Sequence, residues 1–273
     1  MTARSVIRPA FIAPAVCLLY ALALVLLTKD AFVLVTVGEA FAPPELRDHY
    51  YSPSGYDGQF TYYLARYGLD ARPYLDVPAY RAQRILLPFV ARVLSLGEPA
   101  TLIWLLLLLN AGGLALGTYC LERLLVRRLA SPWFALSVAL SLGMFGGVRM
   151  TTTEPLAYGL AVAGLYLADR RHWGSAGATF AFAVLARETT LLFPVSCAFT
   201  LLLGRGRRQI GGAARMLLLP CVTILLWQVV LYRRYGAFGV GSGGIDTTGF
   251  ELVPLWGYAR PLRSDVDRGQ GAA

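Results

Sequence analysis

The sequence has little charge and almost no lysine. Only 15% of its 273 residues are charged, and Lys29 is the one lysine. A soluble domain carries about 25% charged residues, so this balance argues against a water-soluble globule. Hydrophobic residues make up 56%, which excludes an intrinsically disordered chain. The apolar runs are continuous rather than alternating, which argues against a membrane β-barrel. The four cysteines, Cys17, Cys120, Cys197 and Cys221, fall inside apolar runs and form no CxxC pair. They read as small packing residues, not as a disulfide framework or metal site. Walker, GxSxG and HExxH motifs are missing, as is a GxGxxG between strand and helix. ATP-driven transport, that hydrolase chemistry and nucleotide-sugar binding on a Rossmann domain lose their support. No repeat recurs at a fixed period.

What remains is an all-α, polytopic bundle of transmembrane helices, because only structures that satisfy their own backbone hydrogen bonds can sit in lipid. The formal net charge of +9 comes from arginines lying mostly between apolar runs. Membrane topology accounts for that placement, and no basic run interleaved with aromatics points to nucleic acid. The runs lie at about 9–27, 101–120, 132–149, 154–168, 173–187, 189–204 and 213–232. Seven spans follow. Arg4 and Arg8 place the N-terminus in the cytoplasm, with the first run a retained anchor rather than a cleaved signal peptide. Arginine clusters at 123–128, 170–171 and 205–215 then all fall inside. The expected location is a plasma (inner) membrane, crossed many times. The runs 154–168 and 189–204 are shorter than the ~20 residues a span needs. Merging 173–204 into one helix is the competing count.

Residues 1–234 read as one transmembrane domain, and 235–273 as an extracytoplasmic tail. Within the domain, 29–100 forms a first outer loop rich in acid, proline and tyrosine. Phe60, Tyr63, Leu64 and Tyr67 share one helical face after Asp57, and Gly68 suits a helix stop. This amphipathic helix is expected to lie on the membrane surface. A second interfacial or re-entrant segment runs from Asp76 to Leu96, interrupted by Pro88 and Arg92.

The acids are divided unequally. In this topology only Glu122 and Asp169 face the cytoplasm. Asp57, Glu154 and Glu188 lie at the outer membrane boundary, accompanied by Arg84, Arg149 and Arg187. Acids beside a membrane are costly and invite a functional reading. Carboxylates for proton transfer or metal binding, with arginines for a phosphate, suit a lipid-phosphate substrate. Plainer readings stay open. Asp57 can serve as a helix N-cap. Thr153-Glu154-Pro155 is a good helix start, with Thr153 as cap. Arg187-Glu188 can be a solvated hairpin tip, and Asp76 a cap. His49 and His172 complete no metal or triad pattern. The eight tyrosines between Tyr50 and Tyr80 can form an interfacial belt or stack on sugar rings or lipid.

The stretch Gly55-Tyr-Asp-Gly-Gln-Phe-Thr-Tyr-Tyr-Leu-Ala-Arg resembles the first outer loop of a bacterial group among the GT-C glycosyltransferases, the broad class of protein mannosyltransferases and arabinose transferases. Asp76-Val-Pro-Ala-Tyr-Arg-Ala-Gln-Arg-Ile-Leu-Leu-Pro, Thr153-Glu-Pro-Leu-Ala and Ala186-Arg-Glu-Thr-Thr-Leu-Leu are similar to the same group. The likeness extends over roughly residues 5–235. It implies a seven-span core with juxtamembrane helices in the first outer loop, a polyprenyl-phosphate sugar donor and an acceptor on the outer face. It also implies that Asp57 is a catalytic base or metal ligand, so a divalent metal ion is a candidate cofactor. Expected catalytic residues are Asp57, Glu154 and Glu188. Expected substrate-binding residues are Arg84, Arg149, Arg187, Tyr56 and Gln59. The chain departs from the group in two ways. Many members carry two adjacent acids in this loop, whereas Asp57 stands between Tyr56 and Gly58. Members also continue into further spans, whereas here about 40 residues follow the last run. A non-catalytic flippase or partner subunit of the same fold is the alternative reading. An unrelated transporter with broken helices, with Gly112-Gly113 and Gly146-Gly147 as candidate breaks, is a third.

Overall fold

The computed structural model describes residues 8–96, 98–203 and 207–241. These residues are overwhelmingly helical, and the one β contact among them is an isolated bridge between Gly38 and Ser52. In chain order the helices are α1 (Pro9–Thr28), α2 (Asp57–Tyr67), α3 (Pro78–Ala82), α4 (Leu86–Leu94), α5 (Pro99–Arg127), α6 (Ala135–Ala139), α7 (Leu142–Arg149), α8 (Glu154–Asp169), α9 (Trp173–Ala186), α10 (Leu192–Leu203) and α11 (Arg207–Tyr235). Short 3-10 turns fill much of the segment between α1 and α2.

Among the described residues, three helices are long and apolar enough to cross a membrane: Pro9–Thr28, Pro99–Arg127 and, within α11, Gln209–Tyr235. The first two begin where local chemistry favours it. Pro9 and Pro99 occupy the first turn, where a missing N–H costs nothing. α5 spans 29 residues, about 44 Å at 1.5 Å per residue. Half of its most apolar stretch is buried inside the protein, against 22% for α1 and α11. α5 is therefore the central post, while α1 and α11 turn wide apolar faces outward. Leu19, Leu26, Leu218 and Leu225 each lie 65% or more exposed. Such a surface suits lipid rather than water.

α8, α9 and α10 span 16, 14 and 12 residues. The break at Arg187, whose backbone is extended (φ −159°, ψ 122°), separates α9 from the turn before α10. The run 132–149 is not one helix. It divides into α6 and α7 at Leu140–Ser141, where Ser141 leaves the helical region (φ −58°, ψ 150°). Gly143, Gly146 and Gly147 lie in the second half, and glycine costs a helix about 1 kcal/mol relative to alanine. Gly112-Gly113, by contrast, leaves α5 unbroken.

α5 and α8 cross at glycines. A Cβ on Gly113 would lie 2.5 Å from the Leu156 Cα, and one on Gly117 would lie 2.7 Å from the Gly159 Cα. This is the small-residue contact that lets backbones meet in apolar surroundings. α9 packs between α8 and α11. Glu122, buried on α5, accepts a hydrogen bond at 2.5 Å from the backbone N–H of Ala10 in the first turn of α1. Helix starts leave such donors without intrahelical partners.

The first loop is part of the core. Leu34, Tyr63 and Leu87 from the loop join Leu102 and Leu106 of α5 in one apolar cluster. α2 is enclosed on all sides, because Gly58 through Ala65 are all buried. The expectation of a helix with one buried face lying on a surface is corrected here. Its sequence showed the buried stripe, but Tyr62, Thr61 and Gln59 are covered as well. Gly68 does end the helix, at φ +64°. The segment 76–96 is two short helices, with Pro88 accommodated in the first turn of α4.

Candidate functional site

The motif Gly55-Tyr-Asp-Gly-Gln-Phe holds one corner of the loop together. Gly55 takes φ +71°, and a side chain there would strike Gln59 and Gly38. Gly58 presses on the chain between α7 and α8: its Cβ would lie 2.0 Å from the Met150 carbonyl oxygen. Gln59 is buried, accepts from the Gly38 N–H at 2.9 Å and donates to the Ser54 carbonyl at 2.8 Å. Its carboxamide therefore ties the loop to α2. The Phe60 ring lies 4.3 Å beneath the Arg81 guanidinium.

Asp57 is the first residue of α2, and the cap position is Tyr56. The Asp57 carboxylate does not cap the helix. It meets Arg81 Nη1 at 2.9 Å. Arg81 also forms a two-pronged contact with Asp76, through Nε to Oδ1 and Nη2 to Oδ2, each 2.8 Å. Burial works against the charge on Asp76, but Arg81 outweighs it and holds the carboxyl below its usual range. The same contacts raise the pKa of the guanidinium against its own desolvation. Asp76 is 7% exposed and Asp57 46%. Arg81 thus joins one locked acid and one open acid.

Two further pairs adjoin it. Arg84 Nη2 and Nε each lie 3.3 Å from a Glu188 oxygen, and Nη2 donates to the Tyr80 hydroxyl at 2.8 Å. Desolvation opposes the charge on Arg84, and the Glu188 carboxylate more than restores it, raising the pKa. Arg187 donates to Glu154. Arg187-Glu188 is therefore no solvated tip: each residue is claimed by an ion pair. Thr153 makes no side-chain cap for α8, and Glu154 stands at its first position.

Asp57 lines three clefts. A narrow one, with room for about one water, is walled by Thr61, Arg81, Arg84, Thr152 and Glu154. A recess of about 260 Å³ is lined by Phe41, Ser54, Tyr56, Phe60, Asp76 and Arg81. A groove of about 440 Å³ runs along Leu142, Gly143, Gly146, Gly147 and Met150 of α7 and the turn after it, and reaches Glu154. The structure thus gathers Asp57, Glu154, Glu188, Arg84, Arg187 and Tyr56 into one neighbourhood. Gln59 borders the recess with both polar ends engaged. Arg149 stands apart, 3.5 Å from the Thr36 hydroxyl. Sequence reasoning missed Arg81 and Tyr80. The signals were present: Asp76 and Arg81 bracket a helix start, and Tyr80 and Arg84 are spaced i, i+4.

Among the described residues, no three histidine, cysteine or acidic side chains gather as a metal site. Arg81 takes the place between Asp57 and Asp76 that a cation would need, so the donor set does not fit a divalent ion. Comparison of the chain with protein-family models, curated proteins and solved structures finds no match.

Proposed function

We propose that the chain is a membrane-embedded glycosyltransferase that moves a sugar from a polyprenyl-phosphate donor to an acceptor hydroxyl at the outer membrane face. One observation carries the reading. The most exposed carboxylate of the cluster stands between an apolar groove and a polar recess with aromatic walls. An isoprenoid chain suits the groove, and an acceptor sugar suits the recess, where Phe41 and Tyr56 offer stacking faces. Asp57 takes the proton of the acceptor hydroxyl. The oxygen bonds to the anomeric carbon as the bond from that carbon to the phosphate oxygen breaks, and polyprenyl phosphate leaves. Arg81 and Arg84 face its charge across the narrow cleft. Glu188 and Glu154 hold Arg84 and Arg187 in place. A GT-C-like, seven-crossing arrangement in the plasma membrane, with the N-terminus inside, belongs to this proposal. The arginine-rich end of the bundle supports that orientation.

The test is transfer from labelled polyprenyl-phosphate sugars in proteoliposomes. Asp57→Asn should cut turnover by about 100-fold or more, the usual worth of a general base, while donor binding persists. Turnover that survives in Asp57→Asn removes Asp57 as base. One observation favours the second reading, a non-catalytic flippase or partner subunit. Four acids (Asp57, Asp76, Glu154, Glu188) face three arginines (Arg81, Arg84, Arg187), and each arginine is already paired. A phosphate must compete with those carboxylates. Donor binding without transfer in the parent protein would favour that reading.

A further inference from the structure

The other end of the bundle has the opposite charge balance and the largest cavity described. It measures about 600 Å³ and lies between α5, α8, α10 and α11, within the roughly 300–1,000 Å³ of ordinary ligand sites. Its walls are mainly apolar: Leu124, Leu165, Cys197, Leu201 and Met216, with Trp173 at one side. The hydroxyls of Ser196 and Thr200 on the same wall bond back to their own helix, at Leu192 and Ser196, so they add little polarity to it. The rim is charged. Asp169 receives Arg127 at 2.7 Å and Arg128 at 3.0 Å. Two guanidiniums on one carboxylate leave one positive charge over. Arg128 is 72% exposed, and Arg170 and Arg171 beside Asp169 are exposed too.

We propose that this cavity holds one acyl chain of an anionic phospholipid, with its phosphate against Arg128 and Arg127. An apolar chamber with a net positive rim at the end of a helix bundle is complementary to such a lipid. Basic pockets between membrane helices on the cytoplasmic side are the setting in which acidic headgroups bind. A guanidinium offers a phosphate paired N–H donors. The cavity shares no residue with the Asp57 clefts; the inference rests on the orientation proposed above but not on the transferase chemistry.

The test uses Trp173 as reporter. Full-length protein with Trp104, Trp133, Trp227 and Trp256 changed to Phe is reconstituted in phosphatidylcholine vesicles. A small fraction of the lipid carries brominated acyl chains, on either phosphatidylglycerol or phosphatidylcholine. Brominated phosphatidylglycerol should quench Trp173 at about fivefold lower mole fraction, the preference one basic side chain near the surface confers. Arg128→Gln should reduce that preference. The residue is exposed and Arg127 still holds Asp169, so folding is not at stake. Ser196→Phe, which fills the chamber, should weaken quenching by both lipids. Equal quenching by the two lipids in the parent, or a preference unchanged in Arg128→Gln, overturns the proposal.

Discussion

The Arg84–Glu188 pair joins residues 104 positions apart in the chain and offers a sharp test of how the site is held. Arg84 is 10% exposed and Glu188 20%. Removing one member of a buried pair leaves the other charge without compensation, at about 3–5 kcal/mol. Two features lower that figure here: Glu188 keeps some access to water, and Arg84 keeps the Tyr80 hydroxyl and ring. For Glu188→Gln or Arg84→Met, about 2–3 kcal/mol is expected. The double variant buries no orphaned charge, so it should cost no more than the worse single change. The coupling energy is then at least about 2 kcal/mol. Thermal unfolding in lipid–detergent micelles measures it. At about 2–4 °C per kcal/mol, each single variant should melt roughly 4–12 °C low, with the double no lower. If the two single shifts add to within about 0.5 kcal/mol, the pair is not an energetic unit and the reasoning fails.

Three further predictions concern the cluster and the two ends of the bundle. Asp76 carries a depressed pKa in the folded protein, so its stabilisation is present above its unfolded value of about 3.8 and is lost as pH falls through the lower folded value. Asp76→Asn should remove that part of the acid-side loss, read as a flatter unfolding midpoint as pH falls below the unfolded value; an unchanged acid limb would count against the Arg81 contact. Gly58→Ala places a methyl against the Met150 carbonyl and should destabilise by about 2 kcal/mol or more, while Gly143→Ala, helical and with a Cβ that meets nothing within 4 Å, should be neutral to stabilising by up to about 1 kcal/mol in the same unfolding assay. Cysteines at Asp57 and at Arg170, in a background lacking the native four, should label from opposite sides of sealed vesicles with an impermeant thiol reagent. Labelling of both from one side would dissolve the assignment of the two ends.

The helical class and the three long apolar helices were legible because long continuous apolar runs leave the backbone few other ways to satisfy itself; the remaining expected spans are shorter or divided helices. The start of α2 at Asp57, its stop at Gly68 and the boundaries near Pro99 and Arg187 all carry local signals. The split between α6 and α7 was less legible: the run is evenly apolar, and the glycines that weaken it are equally consistent with a packed helix. The enclosure of α2 depends on α4 and α5 covering it, which no pattern within the helix encodes. At the site, the acids stood out because charge is scarce. Their partners did not. The pairing of Arg84 with Glu188 and of Arg187 with Glu154 is long-range, and Arg187-Glu188 reads locally as a polar turn. Arg81 was the hardest to see, since an arginine three residues before another looks like ordinary surface charge until Phe60 and two aspartates are found around it.

The hydrogen bond from Ala10 to Glu122 has a consequence for the order in which the protein is made. The first helix leaves the ribosome 112 residues before the acid that completes its start. Throughout that interval the Ala10 N–H must be satisfied by water or a lipid headgroup, since Pro9 has no N–H and those of Phe11 and Ile12 bond to the Arg8 carbonyl. When α5 arrives, Glu122 takes over the contact and the early helix becomes fixed to the central post. Synthesis stopped before residue 122 should therefore leave a first helix that is inserted but not docked.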